Sequence, residues 1–142
     1  MKLGTPQKIA EVMALLPLPR SFAELEDLVH RGLPKSALRA GVDRVGRTAD
    51  GRRRLLFRII PEATFKRRQD RLTPDKSEKT ERLARIFATA LYVWDDEADA
   101  REFLNTPHSL LEERSPLDVA MTELGARRVE ELLWQLFYGL PA

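Results

Sequence analysis

The stretch LTPDKSEKTERLARIFATALYVW, residues 72–94, carries the clearest structural signal in the chain. Thr73 is a residue type that caps helix starts, and Pro74 suits the first helical position, where no backbone N–H is needed. Apolar side chains then recur at i, i+3, i+4, i+7, i+8 and i+11, the spacing of one helical face. They are Leu83, Ile86, Phe87, Ala90, Leu91 and Trp94. The sequence therefore predicts one long amphipathic helix here.

Upstream, the same spacing predicts three shorter helices. The first ends before Pro17, because proline disfavours helix at the residue that precedes it. The second runs from a Ser21 cap to Gly32, and the third from Pro34 to Gly46. The side chains expected to face the core are Ile9, Val12, Met13, Leu16, Phe22, Leu25, Leu28, Val29, Leu38, Val42 and Val45.

Downstream, three more helices are predicted. Asp95 and Asp96 begin one, Ser115-Pro116 begins a short one, and the last spans about residues 123–138 with Gly139 at its end. Their apolar residues are Ala98, Phe103, Leu104, Val129, Leu132, Leu133, Leu136 and Phe137. Alternation of apolar and polar residues by two is rare, so we expect an all-α fold.

The segment from Asp50 to Arg71 supports two interpretations. Asp50-Gly51 can form the tip of a β-hairpin, with an apolar strand following at residues 55–60. The helical interpretation is favoured: Asp50 caps a helix that carries Arg54 and Arg58 on one face, and Pro61 occupies the first turn of a second short helix. The hairpin remains the alternative.

Charge is divided unevenly along the chain. Residues 1–76 carry 17 Lys/Arg and 9 Asp/Glu, a net charge of +8, while residues 77–142 carry 7 and 13, a net charge of −6; together they give the +2 of the whole chain. A basic half attracts a polyanion such as DNA, whereas an acidic half is repelled by phosphates and suits a protein partner. Unless the division arose by chance, it indicates two different partners.

Composition and motif content narrow the function classes. The length of 142 residues and the 43% of apolar residues fit one compact unit or two small subdomains sharing a core. There is no cysteine, and prolines interrupt the apolar run near the start, so we expect no disulfide, no signal peptide, no membrane span and a cytoplasmic protein. The acidic run at residues 95–99 lacks calcium-loop spacing, and no phosphate loop or catalytic motif occurs. An enzyme is possible, but no motif supports one. We expect no cofactor and no metal, and His30 and His108 should be surface or capping residues.

Eight cations lie inside the Asp50 to Arg71 segment, within a stretch of twenty residues. They are Arg52, Arg53, Arg54, Arg58, Lys66, Arg67, Arg68 and Arg71. If a second helix begins at Pro61, it presents Thr64, Lys66 and Arg67 where a recognition helix contacts base edges and phosphates. This is the helix-turn-helix hypothesis. The alternative is a basic surface that holds an acidic neighbour, such as the other half of this chain.

The C-terminal stretch is rich in large apolar side chains. Trp134, Phe137, Tyr138 and Leu140 lie within seven residues and cannot all point to one helix face. Some of them should therefore remain available to a partner. The alternative is that all four belong to the core.

The segment SPLDVAMTELGARRVEELLWQLFYGLPA, residues 115–142, resembles the toxin-binding domain of the Xre/MbcA/ParS antitoxin family. Upstream, FLNTPHSLL at 103–111 resembles the family's segment before its loop, residues 72–94 its long helix, and TFKRR at 64–68 the end of its helix-turn-helix. One departure is Glu112-Glu113, where the family usually has glycines. That difference changes a turn and a local contact, not the assignment.

The resemblance implies an all-α homodimer with an Xre-like helix-turn-helix region at residues 1–72 and a C-terminal dimerisation and toxin-binding domain at residues 73–142. It also implies an antitoxin, itself not an enzyme, that neutralises a co-encoded RES-domain toxin of an NAD⁺-consuming class and represses its own operon by binding operator DNA. In the family the C-terminal end reaches the toxin's active-site cleft. The expected toxin-binding residues are Arg127, Arg128, Trp134, Tyr138, Gly139, Leu140, Pro141 and Ala142. A free-standing transcription regulator whose C-terminal domain only dimerises is the alternative.

Overall fold

The computed structural model describes residues 4–139, and every regular element in that range is helical. The helices are α1 (Pro6–Val12), α2 (Phe22–Arg31), α3 (Lys35–Val45), α4 (Ala49–Ile59), α5 (Glu62–Phe65), α6 (Pro74–Trp94), α7 (Glu97–Asn105), α8 (Pro116–Val119) and α9 (Glu123–Tyr138). A 3₁₀ turn, Ser109–Leu111, lies between α7 and α8. The all-α class is confirmed.

The long helix α6 lies at the centre of the core. Helices α1, α2, α3, α4, α7 and α9 all contact it. Ile86 and Phe87 are fully buried, and the alanines at 84, 88 and 90 allow neighbouring helices to approach closely. Because elements from both halves of the sequence cover this one helix, their buried side chains form a single core cluster.

Side-chain caps set where the helices begin. Thr73 Oγ1 accepts a hydrogen bond from Lys76 N at 3.2 Å, and Pro74 is the first helical residue, as predicted. Ser21, Asp96 and Ser115 cap α2, α7 and α8 in the same way, also as predicted. Each cap satisfies a backbone N–H that a helix start would otherwise leave unpaired.

The structure corrects three details of the α4–α5 segment. Residues 49–59 form one continuous helix, so the hairpin alternative is wrong. Thr48, not Asp50, caps α4: its backbone is extended, and its hydroxyl accepts a hydrogen bond from Gly51 N at 2.9 Å. The prediction places Pro61 in the first turn of α5. Pro61 is instead extended and lies just before this helix, which begins at Glu62.

Several side chains predicted to face the core are exposed instead. Leu16 is 86% exposed, because α1 ends at Val12 and the chain turns through Ala14, whose φ is 53°. In α7 the buried position belongs to Ala100 and not to Ala98, which lies exposed in the first turn. The remaining exposed residues of this kind are Phe22, Trp94, Leu136 and Phe137.

Gly125 allows the start of α9 to lie directly against the end of α8. A Cβ added there would stand 1.7 Å from the carbonyl oxygen of Val119, far inside contact distance. Gly41 in the interior of α3 differs, since an added Cβ would meet only Leu83 Cδ2 at 3.8 Å. Glycine is therefore required at position 125 and dispensable at position 41.

We expect Gly125→Ala to lower the free energy of unfolding by about 1–3 kcal/mol, because the α8 backbone must move to accommodate the methyl group. Gly41→Ala should raise it by about 0.5–1 kcal/mol, because alanine is the better helix former. Denaturation followed by circular dichroism measures both. Equal stability of the two variants would contradict the close packing of α8 and α9.

Candidate functional site

The cations predicted to bind DNA lie on α4, on α5 and on the segment after α5. The turn between the two helices is anchored by the buried side chains of Ile59 and Ile60. Thr64 lies half-buried on α5. The segment is thus a short two-helix unit whose turn is packed into the core and whose charged side chains face outward.

The end of α5 is held by two cations of α3. Lys35 Nζ donates hydrogen bonds to the carbonyl oxygens of Phe65, at 2.7 Å, and of Arg67. Lys35 Nζ and the guanidinium of Arg39 also lie over the Phe65 ring, at 5.6 and 5.2 Å from its centroid. Backbone hydrogen bonds and cation–π contacts together fix α5 against α3.

The chain after α5 is tied to the turn between α2 and α3. Leu72 N donates to the carbonyl oxygen of Leu33 at 2.7 Å, and Leu33 N donates to Ser77 Oγ at 2.8 Å. Arg71 Nη1 donates to the carbonyl oxygen of Gly32, whose φ of +93° suits only glycine because a Cβ would meet Leu72 O at 2.5 Å. The segment carrying the basic residues is therefore held at both ends.

Arg67 and Arg68 are the predicted DNA-binding cations with no internal partner. Both side chains are exposed, and within residues 4–139 neither makes a hydrogen bond or an ion pair. They follow directly after α5. Each guanidinium can therefore bind a phosphate without giving up a contact inside the protein.

Three other predicted cations form exposed ion pairs. Arg53 Nη2 and Lys66 Nζ lie 3.2 and 3.0 Å from Glu62 Oε1, and Arg54 Nη1 lies 2.6 Å from Asp50 Oδ2. The hydrogen bond from Lys66, followed by its charge and that of Arg53, lowers the pKa of Glu62. Such exposed pairs contribute little to stability, so these cations can also turn to a phosphate.

The last three predicted cations contact parts of the chain outside α4 and α5. Arg52 and Arg71 donate to backbone carbonyl oxygens. Arg58 Nη1 donates to Asp118 Oδ1 on α8 at 2.8 Å, and this hydrogen bond is the main cause of the lowered pKa of Asp118. This contact of Arg58 agrees with the alternative interpretation of the basic cluster, in which its cations hold the acidic half of the chain.

An aromatic cluster lies at the C-terminal ends of α6 and α9. It consists of Tyr92, Trp134, Phe137 and Tyr138. Ring centroids lie 5.1 Å apart for Tyr92–Phe137, 4.9 Å for Phe137–Tyr138 and 4.7 Å for Trp134–Tyr138. Tyr92, Phe137 and Tyr138 are 49, 40 and 41% exposed. The prediction that some of these aromatics stay accessible is confirmed, and sequence reasoning missed that Tyr92 joins them.

Gly139 ends α9 with φ 66°, as predicted. The other predicted residues of the tail, Leu140, Pro141 and Ala142, lie outside the described residues.

The two predicted toxin-binding arginines have different surroundings. Arg128 makes a two-pronged pair with Glu112, at 2.9 and 2.7 Å, which lowers the pKa of that carboxyl. Arg127 is exposed and makes no hydrogen bond or ion pair within the described range. Glu112 and Glu113 have φ of 54° and 59°, left-handed values that favour glycine. Two non-glycine residues therefore occupy left-handed positions here, and Glu112 makes an ion pair that glycine cannot make.

A partly buried ion network joins α6 to α9. Arg85 lies 3.2 Å from Glu81, 3.5 Å from Glu123 and 2.8 Å from Glu130. Burial raises the pKa of Glu81, against the opposing effect of the Arg85 charge. The spacing of Glu81 and Arg85 is visible in the sequence, but the two partners on α9 are not.

The two histidines have the predicted roles. His108 Nδ1 accepts a hydrogen bond from Leu110 N at 3.1 Å, and His30 is exposed. In the range 4–139 no group of three His, Cys, Asp or Glu could hold a metal ion. None of the helices described is both long and apolar enough to cross a bilayer.

A two-helix unit with free cations at its end, on a helical core that also carries exposed aromatics, is the arrangement of a helix-turn-helix protein with an attached binding domain. Comparison of the chain with known protein families defines this class more closely. Residues 24–85 match the Antitoxin Xre-like helix-turn-helix domain, and residues 89–139 match the Antitoxin Xre/MbcA/ParS C-terminal toxin-binding domain. The chain therefore carries both domains of the Xre/MbcA/ParS antitoxins, at residues 24–85 and 89–139.

Two curated relatives are each similar to more than half of the chain. Antitoxin Xre of Pseudomonas putida is 34% identical over 84 residues, which cover 57% of this chain and 53% of that protein. Antitoxin Xre of Yersinia enterocolitica is 33% identical over 85 residues, which cover 57% of each. The chain thus spans little more than half the length of these relatives.

Glu81 and Glu112 should give opposite pH trends when each is replaced by Gln. The pKa of Glu81 lies above its ordinary value of 4.5 in the folded chain, so the wild type loses stability as pH rises through the interval above 4.5. Glu81→Gln escapes this loss and should gain stability relative to the wild type over that interval.

The pKa of Glu112 lies below 4.5, so its ion pair stabilises the folded state above that pH and this contribution is lost as pH falls through the folded value. Glu112→Gln should therefore be destabilised at neutral pH and match the wild type in acid. Urea denaturation across this pH range measures both variants. Parallel curves for the two would contradict the assigned shifts.

Proposed function

We propose that this chain is the antitoxin of a type II toxin–antitoxin system and acts in the cytoplasm. It neutralises a RES-type, NAD⁺-consuming toxin that the neighbouring gene encodes, and it represses its own operon. The observation that carries the proposal is the separation of two surfaces on one core. Arg67 and Arg68 stand free beside α5 in the matched helix-turn-helix domain, and the aromatic cluster lies partly exposed in the matched toxin-binding domain. The two surfaces share no residue.

On the DNA side, α5 acts as the recognition element. Its four residues are too few to read more than a short site, and a homodimer gains specificity by reading two half-sites. Arg67 and Arg68 supply phosphate or guanine contacts from the end of this helix, and Arg53, Arg54 and Lys66 add to the positive field.

On the toxin side, the inhibitory contact lies at the end of α9. Tyr138 and the residues that follow it, from Gly139 to Ala142, enter the NAD⁺ cleft, while Arg127 and Trp134 bind around it. This follows the family's use of its C-terminal end and agrees with the exposed aromatic cluster at that end of α9. A RES-type gene next to this one is the first check, and its absence would favour a free-standing transcription regulator.

The double variant Arg67→Ala/Arg68→Ala should lose operator binding and keep toxin neutralisation. For the wild type, the logarithm of DNA affinity should fall with the logarithm of salt concentration with a slope of about −0.9 per phosphate neutralised, and the double variant should flatten this slope. Gel-shift titrations of promoter DNA over a salt series measure both.

The matched control is Arg20→Ala/Arg31→Ala, which removes the same charge from exposed arginines outside the basic segment. An affinity that does not change with salt, or an equal loss in both double variants, would rule out a DNA-binding surface at α5.

Deleting Leu140 to Ala142 should relieve inhibition of NAD⁺ consumption while leaving DNA binding unchanged. Three terminal residues are a small part of any core, so the fold should persist. The measurement is NAD⁺ consumption by the neighbouring toxin at increasing ratios of antitoxin, with operator binding as the control. Full inhibition by the shortened chain would mean that inhibition works by surface occlusion through Arg127, Arg128 and Trp134.

A further inference from the structure

Helix α1 lies outside both segments that match the antitoxin family, since these begin at residue 24. It is nevertheless part of the core: it packs on α6, and Ile9 and Val12 are buried. Helix α9, the long helix of the matched toxin-binding domain, also packs on α6. The structure leaves space between α1 and α9.

Two cavities open along α6, and each is lined by α1, α6 and α9. The first, about 470 Å³, lies between Ile9, Thr89 and Trp134. The second, about 710 Å³, lies between Glu11, Tyr92 and Phe137. Helix α6 therefore forms the floor of a groove, and α1 and α9 form its walls; we call this the α1–α9 groove.

The groove combines an apolar floor with an acidic rim. Ala88, Leu91 and the exposed Tyr92 contribute apolar surface, and Phe137 adds an aromatic wall. The first cavity is lined by two cations and three carboxylates, and the second by two cations and four carboxylates. The lining cations Lys8, Arg44 and Arg85 each pair with lining carboxylates, and the carboxylates left without an ion pair within residues 4–139 are Asp95, Asp96 and Glu131. A segment with an apolar face and flanking Lys or Arg side chains complements such a surface.

We propose that the α1–α9 groove docks a positively charged amphipathic segment of the toxin, with α1 supplying one wall of the interface. This inference rests on the proposed function, because the partner is the toxin. It adds that a helix outside the matched toxin-binding domain takes part in recognition. Continuity supports it: Tyr92 of the groove floor and Phe137 of the α9 wall belong to the aromatic cluster beside the proposed inhibitory end of α9.

A second copy of this chain is the less suitable occupant. Two copies meeting groove to groove about a two-fold axis would bring the same acidic rims face to face, and like charges at an interface are repulsive. A basic partner segment meets the rim without that repulsion.

Two groove variants test the proposal against matched controls. Tyr92→Ser removes an exposed floor residue, and Trp94→Ser removes an aromatic of similar exposure on the same helix that packs on Phe103, outside the groove. Glu11→Arg reverses a charge on the α1 wall, and Asp43→Arg reverses an exposed charge on α3 that lines neither cavity. Circular dichroism verifies that all four variants are folded.

The measurement is the dissociation constant for the toxin encoded by the neighbouring gene, by titration calorimetry with the full chain. We expect Tyr92→Ser and Glu11→Arg each to weaken binding about ten-fold or more, as loss of a central contact does. Trp94→Ser and Asp43→Arg should stay within about two-fold of the wild type.

Each of the other outcomes would overturn either the groove proposal or the proposed function. Wild-type affinity in both groove variants, or an equal loss in the controls, would show that the toxin does not occupy the groove while leaving the proposed function intact. No binding by the wild type would overturn the proposed function itself. A change of mass in light scattering on Tyr92→Ser, with toxin affinity unchanged, would assign the groove to a second copy.

Discussion

Burial of α6 on most of its faces is the constraint on which the rest of the structure depends. A helix with partners all round must bury polar side chains as well as apolar ones, and α6 does so without leaving them unpaired. Thr80 and Thr89 donate their hydroxyls to carbonyl oxygens one turn earlier, both at 2.8 Å, and Ser77 accepts the backbone N–H of Leu33. The last of these bonds fixes the α2–α3 turn, to which the segment after α5 is tied. The position of Arg67 and Arg68 thus depends on the packing of α6.

The division of charge along the sequence takes a different form in three dimensions. Within residues 4–139, three ion pairs join cations of the basic half to carboxylates of the acidic half: Arg44 with Glu97, Arg47 with Glu102 and Arg58 with Asp118. Part of the opposite charge is therefore paired within the molecule. What remains is local: the guanidinium groups of Arg67 and Arg68 after α5, and the carboxylates of Asp95, Asp96 and Glu131 along the α1–α9 groove, none of which forms an ion pair within residues 4–139.

The sequence predicted the elements whose causes are local, and the site residues whose contacts are distant could not be read from it. Thr73 and Ser115 cap the helices that follow them because the hydrogen bond spans three residues. The apolar spacing that predicted the buried faces of α6 and α9 is also local, because it repeats every three or four residues. The contact of Lys35 with Phe65 spans thirty residues, and that of Tyr92 with Phe137 joins two helices, so neither leaves a pattern along the chain.

The errors in the prediction also have physical causes. Leu16 and Phe22 carry helical spacing, but α1 ends before Leu16, and Phe22 is the first residue of α2. Spacing alone does not tell where a helix stops. Thr48 caps in place of Asp50 because both residue types suit the role and only the backbone conformation decides between them.

The sharing of α6 also bears on how long the molecule survives in a cell. The segments that match the two family domains end and begin inside this helix, at residues 85 and 89, so neither has a core of its own. A domain with a single core unfolds as one cooperative unit, and proteases act on the unfolded chain. Degradation that begins in either half therefore removes both surfaces together, so the proposed operator binding and the proposed toxin binding would share one lifetime.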